Sequence, residues 1–184
     1  MPVFHFTLHA YRSWPADHPD GYCRRGIKGV LPADPVVARQ WDRHARALPV
    51  AFDRLCALRI IEVARKLALE RQWRLHGIAV TAQHIHAVLS WRGREPPETV
   101  KQYLKGRTSR ELSAAGLHHP GKKFSRGALA VQVRDQAHLR RLLEEYLPGH
   151  CGEFWREGMA ESVTITKSTP CRGSSQRQHR ALAR

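Results

Sequence analysis

The chain has 184 residues and carries 31 Lys and Arg against 16 Asp and Glu, a formal net charge of +15. That length suits one domain with a sizeable core. The charge is far from the balance of an ordinary cytosolic enzyme and points to a polyanion as partner. No apolar run approaches the ~18 residues of a spanning helix. Met1-Pro2-Val3-Phe4 leads directly into an alternating segment, without a signal-peptide core, so a soluble cytoplasmic protein is expected. Cys23, Cys56, Cys151 and Cys171 lie far apart with no C-x-x-C pair, which argues against a structural zinc site.

From the N-terminus, Val3 to Tyr11 alternates, with Phe4, Phe6, Leu8 and Ala10 on one face, and reads as a first strand. Glycines, prolines and the basic cluster Arg24, Arg25 and Lys28 mark a long loop over about 12–33. Asp34-Pro35 supplies an N-cap and a first-turn proline for a short accessory helix. Over Phe52 to Gln72 the apolar Phe52, Cys56, Ile60, Val63 and Leu67 recur at helical spacing, opposite Arg59, Glu62, Arg65 and Lys66. Trp73 to Val80 and Gln83 to Trp91 form a hairpin across Thr81-Ala82. Glu98 to Ala115 reads as a helix with Val100, Leu104 and Leu112 inward, and Ala128 to Val133 as a fourth strand. Asp135 caps a last helix striped by Leu139, Leu142, Leu143 and Tyr146, which Pro148-Gly149 should end.

This order predicts an α+β fold of the ferredoxin-like or RRM-like split βαβ type (βαββαβ), an antiparallel sheet with helices on one face and an additional C-terminal helix. The other sheet face is expected to stay open for ligand. Residues 1–160 form the single domain, and 161–184 a basic tail expected to be disordered.

His84 and His86 are two apart on the third strand, so they project from one face and can converge on one ion. Isolated His-x-His pairs are common, and one hydrogen-bonded plus one half-exposed histidine is the plain alternative. Tyr146 and His150, four apart at the end of the last helix, could supply a nucleophile and a third ligand. Equally, Tyr146 could be a core residue of its own apolar stripe, and His150 a helix-end histidine interacting with the macrodipole. Pro148 and Gly149 weaken a regular turn between them.

The His84-Ile85-His86 motif resembles the His-hydrophobe-His of single-tyrosine HUH transposases, the class of small insertion-sequence enzymes and REP-associated tyrosine transposases. Three further segments agree in the same order. Val100 to Leu112 is similar to the family's basic helix, Phe124-Ser125-Arg126-Gly127 to its Trp-x-Arg-Gly lead into the last strand, and Leu142 to Leu147 to the helix bearing the catalytic tyrosine. Together they cover most of the chain from about Leu75 to His150.

The resemblance implies a DNA transposase in which Tyr146 attacks single-stranded DNA at hairpin-flanked sites and forms a covalent 5′-phosphotyrosine. It implies Mg²⁺ or Mn²⁺ on His84 and His86, with His150 as a further ligand where the family often carries Gln or Asn. Phe124 in place of Trp and Ala128 in place of a frequent Tyr are further departures. Tyr103, on the basic helix, is the rival nucleophile. Lys101, Lys105, Arg107, Arg110, Arg126, Arg24, Arg25 and Lys28 are expected to bind DNA phosphates. The implied partner is single-stranded or hairpin DNA and no membrane, in a prokaryotic cytoplasm and nucleoid-associated when bound. A monomer and a homodimer with the tyrosine crossing the interface both remain open. A domesticated, non-catalytic protein that binds hairpin DNA or RNA is the alternative. An RRM-like module would instead want aromatics on the central strands.

Overall fold

The computed structural model describes residues 1–24, 26–27, 29–45, 47–117 and 121–166, with the backbone but not the side chain of Arg126. Arg25 and Lys28, and the tail from 167 onward, therefore lie outside the described residues.

In chain order the elements are β1 (Val3–Ala10), α1 (Pro35–Arg43), α2 (Arg54–Glu70), β2 (Arg74–Val80), β3 (His84–Ser90), α3 (Pro97–Ala114), β4 (Phe124–Gln132), α4 (Gln136–Arg141) continued by a π-helical turn (Leu142–Tyr146), β5 (Gly152–Arg156) and β6 (Val163–Ile165). The sheet order is β4-β1-β3-β2-β5-β6, with every neighbouring pair antiparallel. Its first four strands are the expected split βαβ core. Two strands beyond it extend the β2 edge. No helix among the described residues is long and apolar enough to cross a membrane.

Three helices start where an aspartate accepts otherwise orphaned backbone N–H groups. Asp34 takes those of Val36 and Val37 at 2.9 and 3.0 Å, Asp53 that of Cys56 at 2.8 Å, and Asp135 that of His138 at 2.7 Å. Asp53→Ala is expected to cost about 1 kcal/mol. Urea unfolding should show it as a lower midpoint with an unchanged slope.

Period-two alternation sorts the sheet into two faces. Phe6, Leu8 and Ala10 of β1 and Ile85, Ala87 and Leu89 of β3 bury against Cys56, Ile60 and Leu67 of α2 and Val100, Leu104 and Leu112 of α3. The opposite face is covered as well, contrary to the sequence expectation of an open surface. There Ala79 and Val88 pack beneath Leu142, Leu147 and Phe154. The small residues Gly77 and Ala79 of β2 make room for this approach. A Cβ on Gly77 would sit 2.8 Å from Leu143 Cδ2 and 3.1 Å from Leu147 Cδ1.

Two other expectations are corrected. The fourth strand begins at Phe124 and not Ala128, because Phe124 packs on Phe52 with ring centroids 5.6 Å apart and Ser125 Oγ donates to the Ala10 carbonyl at 2.9 Å. β6 falls inside the stretch read as tail; three residues are too few to show a period. The stretch over 12–33 is a loop, as expected, and it packs on α1 through a satellite core in which Ala16, Tyr22 and Ala38 bury with Trp14, Leu31 and Val37 around them.

Candidate active site

The site is set by the pairing of β1 with β3. Their register places Thr7 opposite His86 and His9 opposite His84. Since Phe6 and Leu8 point into the helical side of the sheet, His5, Thr7 and His9 join His84 and His86 on the other side. His84 is 6% exposed and His86 fully buried.

The π-helical turn brings the remaining groups over this face. Its wide hydrogen bond, from Leu147 N–H to the Leu142 carbonyl at 2.9 Å, spans five residues. The chain then folds through Leu147 to Gly149 and returns His150 to the helix end, so the turn doubted from Pro148-Gly149 does close. His150 Nδ1 meets the Tyr146 carbonyl at 2.7 Å. A Cβ on Gly149 would sit 2.8 Å from the Glu145 carbonyl oxygen and 3.0 Å from that of Tyr146, so this approach of backbone requires glycine.

One ring nitrogen from each of His84, His86 and His150 lies within 4.8 Å of the others. Because a carbonyl only accepts, His150 carries its proton on Nδ1 and presents the Nε2 lone pair. His86 Nδ1 lies 3.1 Å from His5 Nε2 and 3.2 Å from Thr7 Oγ1. If His86 binds an ion through Nε2, its Nδ1–H donates to one of these two. Such outer contacts fix tautomer and ring orientation. The donor set therefore fits a divalent ion. His5→Phe keeps a flat ring but removes an acceptor, and is expected to weaken metal affinity about 10- to 100-fold. His5→Gln, which retains an acceptor, should recover part of it by calorimetric titration.

Tyr146 stands over the same cluster. Its ring centroid is 5.2 Å from His86, 4.7 Å from His150 and 5.4 Å from His5. Burial pushes its phenol well above the usual range. The protein alone thus holds Tyr146 neutral, and a phenolate there requires added positive charge or a proton acceptor. Tyr103 lies instead on the helical side, with the Arg71 guanidinium 3.8 Å over its ring.

The expected phosphate contacts are scattered. α3 packs on the sheet face away from the histidines. Lys101 pairs with Glu98, and its Nζ approaches the Ala128 carbonyl at 3.4 Å. Lys105 donates to the carbonyls of Ser125 and Gly127 at 2.7 and 3.0 Å, while burial, reinforced by the charge of Lys101, pushes its ammonium down to about 8. Arg107 is paired with Glu70 at 3.3 Å and Glu111 at 3.2 Å. Arg24 and Arg110 are exposed. Of the tryptophans considered for base stacking, Trp91 is buried in the main core and Trp14 stacks on His18 at 3.8 Å. Trp41 is 39% exposed, its ring edge-on to Tyr22.

His5, Thr7 and His9 escaped the sequence reading. The signal was present in the β1 alternation, which sends these three to the face opposite Phe4, Phe6, Leu8 and Ala10. Antiparallel pairing with the histidine strand was the missing step.

No protein-family model matches the chain, and no curated protein matches it. Solved structures similar to it include two transposases. One is a candidate transposase from Deinococcus radiodurans R1, 14% identical, with 80% of this chain and 88% of that one covered and a TM-score of 0.42. The other is a REP-associated tyrosine transposase bound to a REP hairpin, 11% identical, with 80% of this chain and 62% of that one covered and a TM-score of 0.42. Likeness at that level assigns no residue a role.

Proposed function

We propose that the chain is a single-tyrosine HUH transposase that cuts and rejoins single-stranded DNA through a covalent 5′-phosphotyrosine on Tyr146, with hairpin-flanked sites as its targets. The observation that carries this reading is the placement of the Tyr146 ring against His86 and His150, two members of a three-histidine cluster. Tyr146 also packs against the apolar cluster of Leu142, Leu147 and Phe154, and what a core role alone leaves unexplained is the three imidazoles gathered beside its ring.

In the proposed reaction Tyr146 Oη forms a bond to phosphorus as the bond from phosphorus to the 3′ oxygen breaks. The phenolic proton is lost and the departing oxygen gains one, leaving a 3′-hydroxyl. One phosphodiester replaces another, so no nucleotide triphosphate is consumed, and reversal at a new end rejoins the strand. His84, His86 and His150 would hold the divalent cation, which when bound polarises the scissile phosphate and stabilises its developing charge. His150 also ties its imidazole to the backbone of the nucleophile's own residue, so ligand and nucleophile keep a fixed distance. The packed Leu142, Leu147 and Phe154 exclude water from one flank.

The test is incubation of the protein with 5′- and 3′-labelled single-stranded hairpin DNA in Mn²⁺ or EDTA, followed by a denaturing gel and mass spectrometry. A metal-dependent adduct on Tyr146 supports the reading. Tight binding without an adduct moves it to the non-catalytic hairpin binder. Phosphate contacts are assigned to the exposed Arg110 and Arg24. Arg110→Ala and Arg24→Ala should each lower the salt slope of single-strand binding by about 0.7, measured by fluorescence anisotropy across salt.

A further inference from the structure

We propose that the three-histidine cluster is built for a first-row transition-metal ion and selects it over Mg²⁺. This deepens the reading above, since it rests on the cluster being a cation site. The donors brought together are one ring nitrogen each from His84, His86 and His150, and among the described residues no Asp or Glu belongs to the group. Mg²⁺ is a hard ion that demands oxygen ligands in near-octahedral array and gives up water reluctantly. Three neutral imidazoles offer it neither oxygen nor negative charge, and the burial of His84 and His86 removes the solvent that would otherwise compensate. Imidazole suits the borderline ions Fe²⁺, Co²⁺, Ni²⁺, Cu²⁺ and Zn²⁺, with Mn²⁺ the weakest of the divalent series.

The surroundings act in the same direction. Exposed Glu144 and Glu145 immediately precede the nucleophile in sequence but stay outside the cluster. The Glu153 carboxylate is engaged by Arg54 at 3.2 Å and by the Thr164 hydroxyl at 2.6 Å. The Tyr146 carbonyl holds His150 through Nδ1, and His5 and Thr7 contact His86 at Nδ1. Partners that accept from the outer nitrogen raise the basicity of the inner one, which favours ions that bind nitrogen strongly.

The experiment is calorimetric titration of metal-free, full-length protein with Co²⁺, Zn²⁺, Mn²⁺ and Mg²⁺ in turn, repeated on the double variant His84→Ala/His86→Ala. Only the binding lost in the double variant is assigned to the cluster. Co²⁺ and Zn²⁺ are expected to bind there at least about 100-fold more tightly than Mg²⁺, with Mn²⁺ between. His150→Gln, which exchanges an imidazole for an amide oxygen, should narrow that ratio while circular dichroism shows the fold retained. A ratio below about 100 for the wild-type cluster overturns the proposal, as does transition-ion binding that the double variant keeps. The two readings fail separately. Mg²⁺ binding as tight as Co²⁺ together with an adduct on Tyr146 sinks the selectivity and leaves the transposase. Absence of any ion at the cluster sinks both the selectivity and the metal part of the mechanism.

Discussion

Tyr146→Phe is expected to leave a protein that folds and binds single-stranded DNA yet forms no covalent adduct, with cleavage down at least about 10⁴-fold. The substitution deletes one atom, the oxygen that would join phosphorus, and keeps the ring. The edge contacts of that ring with His5, His86 and His150 survive. Loss of one hydroxyl should move stability by no more than about 1 kcal/mol. The measurement is the denaturing gel beside an anisotropy titration of the same DNA. An adduct that persists in Tyr146→Phe would remove Tyr146 as nucleophile and turn attention to Tyr103, despite its place on the far side of the sheet.

His86→Ala is expected to reduce cleavage by about 10³-fold, since a metal supplies several kcal/mol of charge stabilisation and this residue is the fully buried member of its ligand set. Affinity for DNA should change little, because the ring is fully buried beside Tyr146 and reaches no surface. The variant also removes the partner that His5 and Thr7 share. Thermal unfolding must therefore accompany the assay, so that loss of the ion is told from loss of the fold. A His86→Ala protein that melts normally and cleaves at the wild-type rate would end the metal reading.

The placement of the two histidines was legible because it needs only period two on one strand. The aspartate caps at Asp34 and Asp135 were legible for a similar reason, each being a local pattern of three or four residues, whereas the cap that Asp53 gives the second helix escaped the sequence reading. What escaped depends on pairs distant in the chain. The covering of the second face rests on Gly77 and Ala79 leaving space for Leu143 and Leu147, a fit between segments far apart in sequence. β5 was missed because its buried Glu153 breaks the apolar pattern, and the distant partners Arg54 and Thr164 make that burial tolerable. The convergence of His150 hinges on a backbone turn whose need for Gly149 shows only in three dimensions. Lys101 and Lys105 read as a charged stripe, and nothing local reveals that both reach β4 carbonyls.

Those two lysines bear on how the molecule meets copies of itself. β4 is the last strand of the sheet on its side, and an outer strand normally displays backbone groups that can recruit a further strand. Lys105 occupies the carbonyls of Ser125 and Gly127, two alternate positions along it, and Lys101 approaches that of Ala128. A strand docking there would have to displace an ammonium from two acceptors and leave a half-buried charge without them. Addition of a further strand is thereby disfavoured along the Ser125–Ala128 stretch of β4.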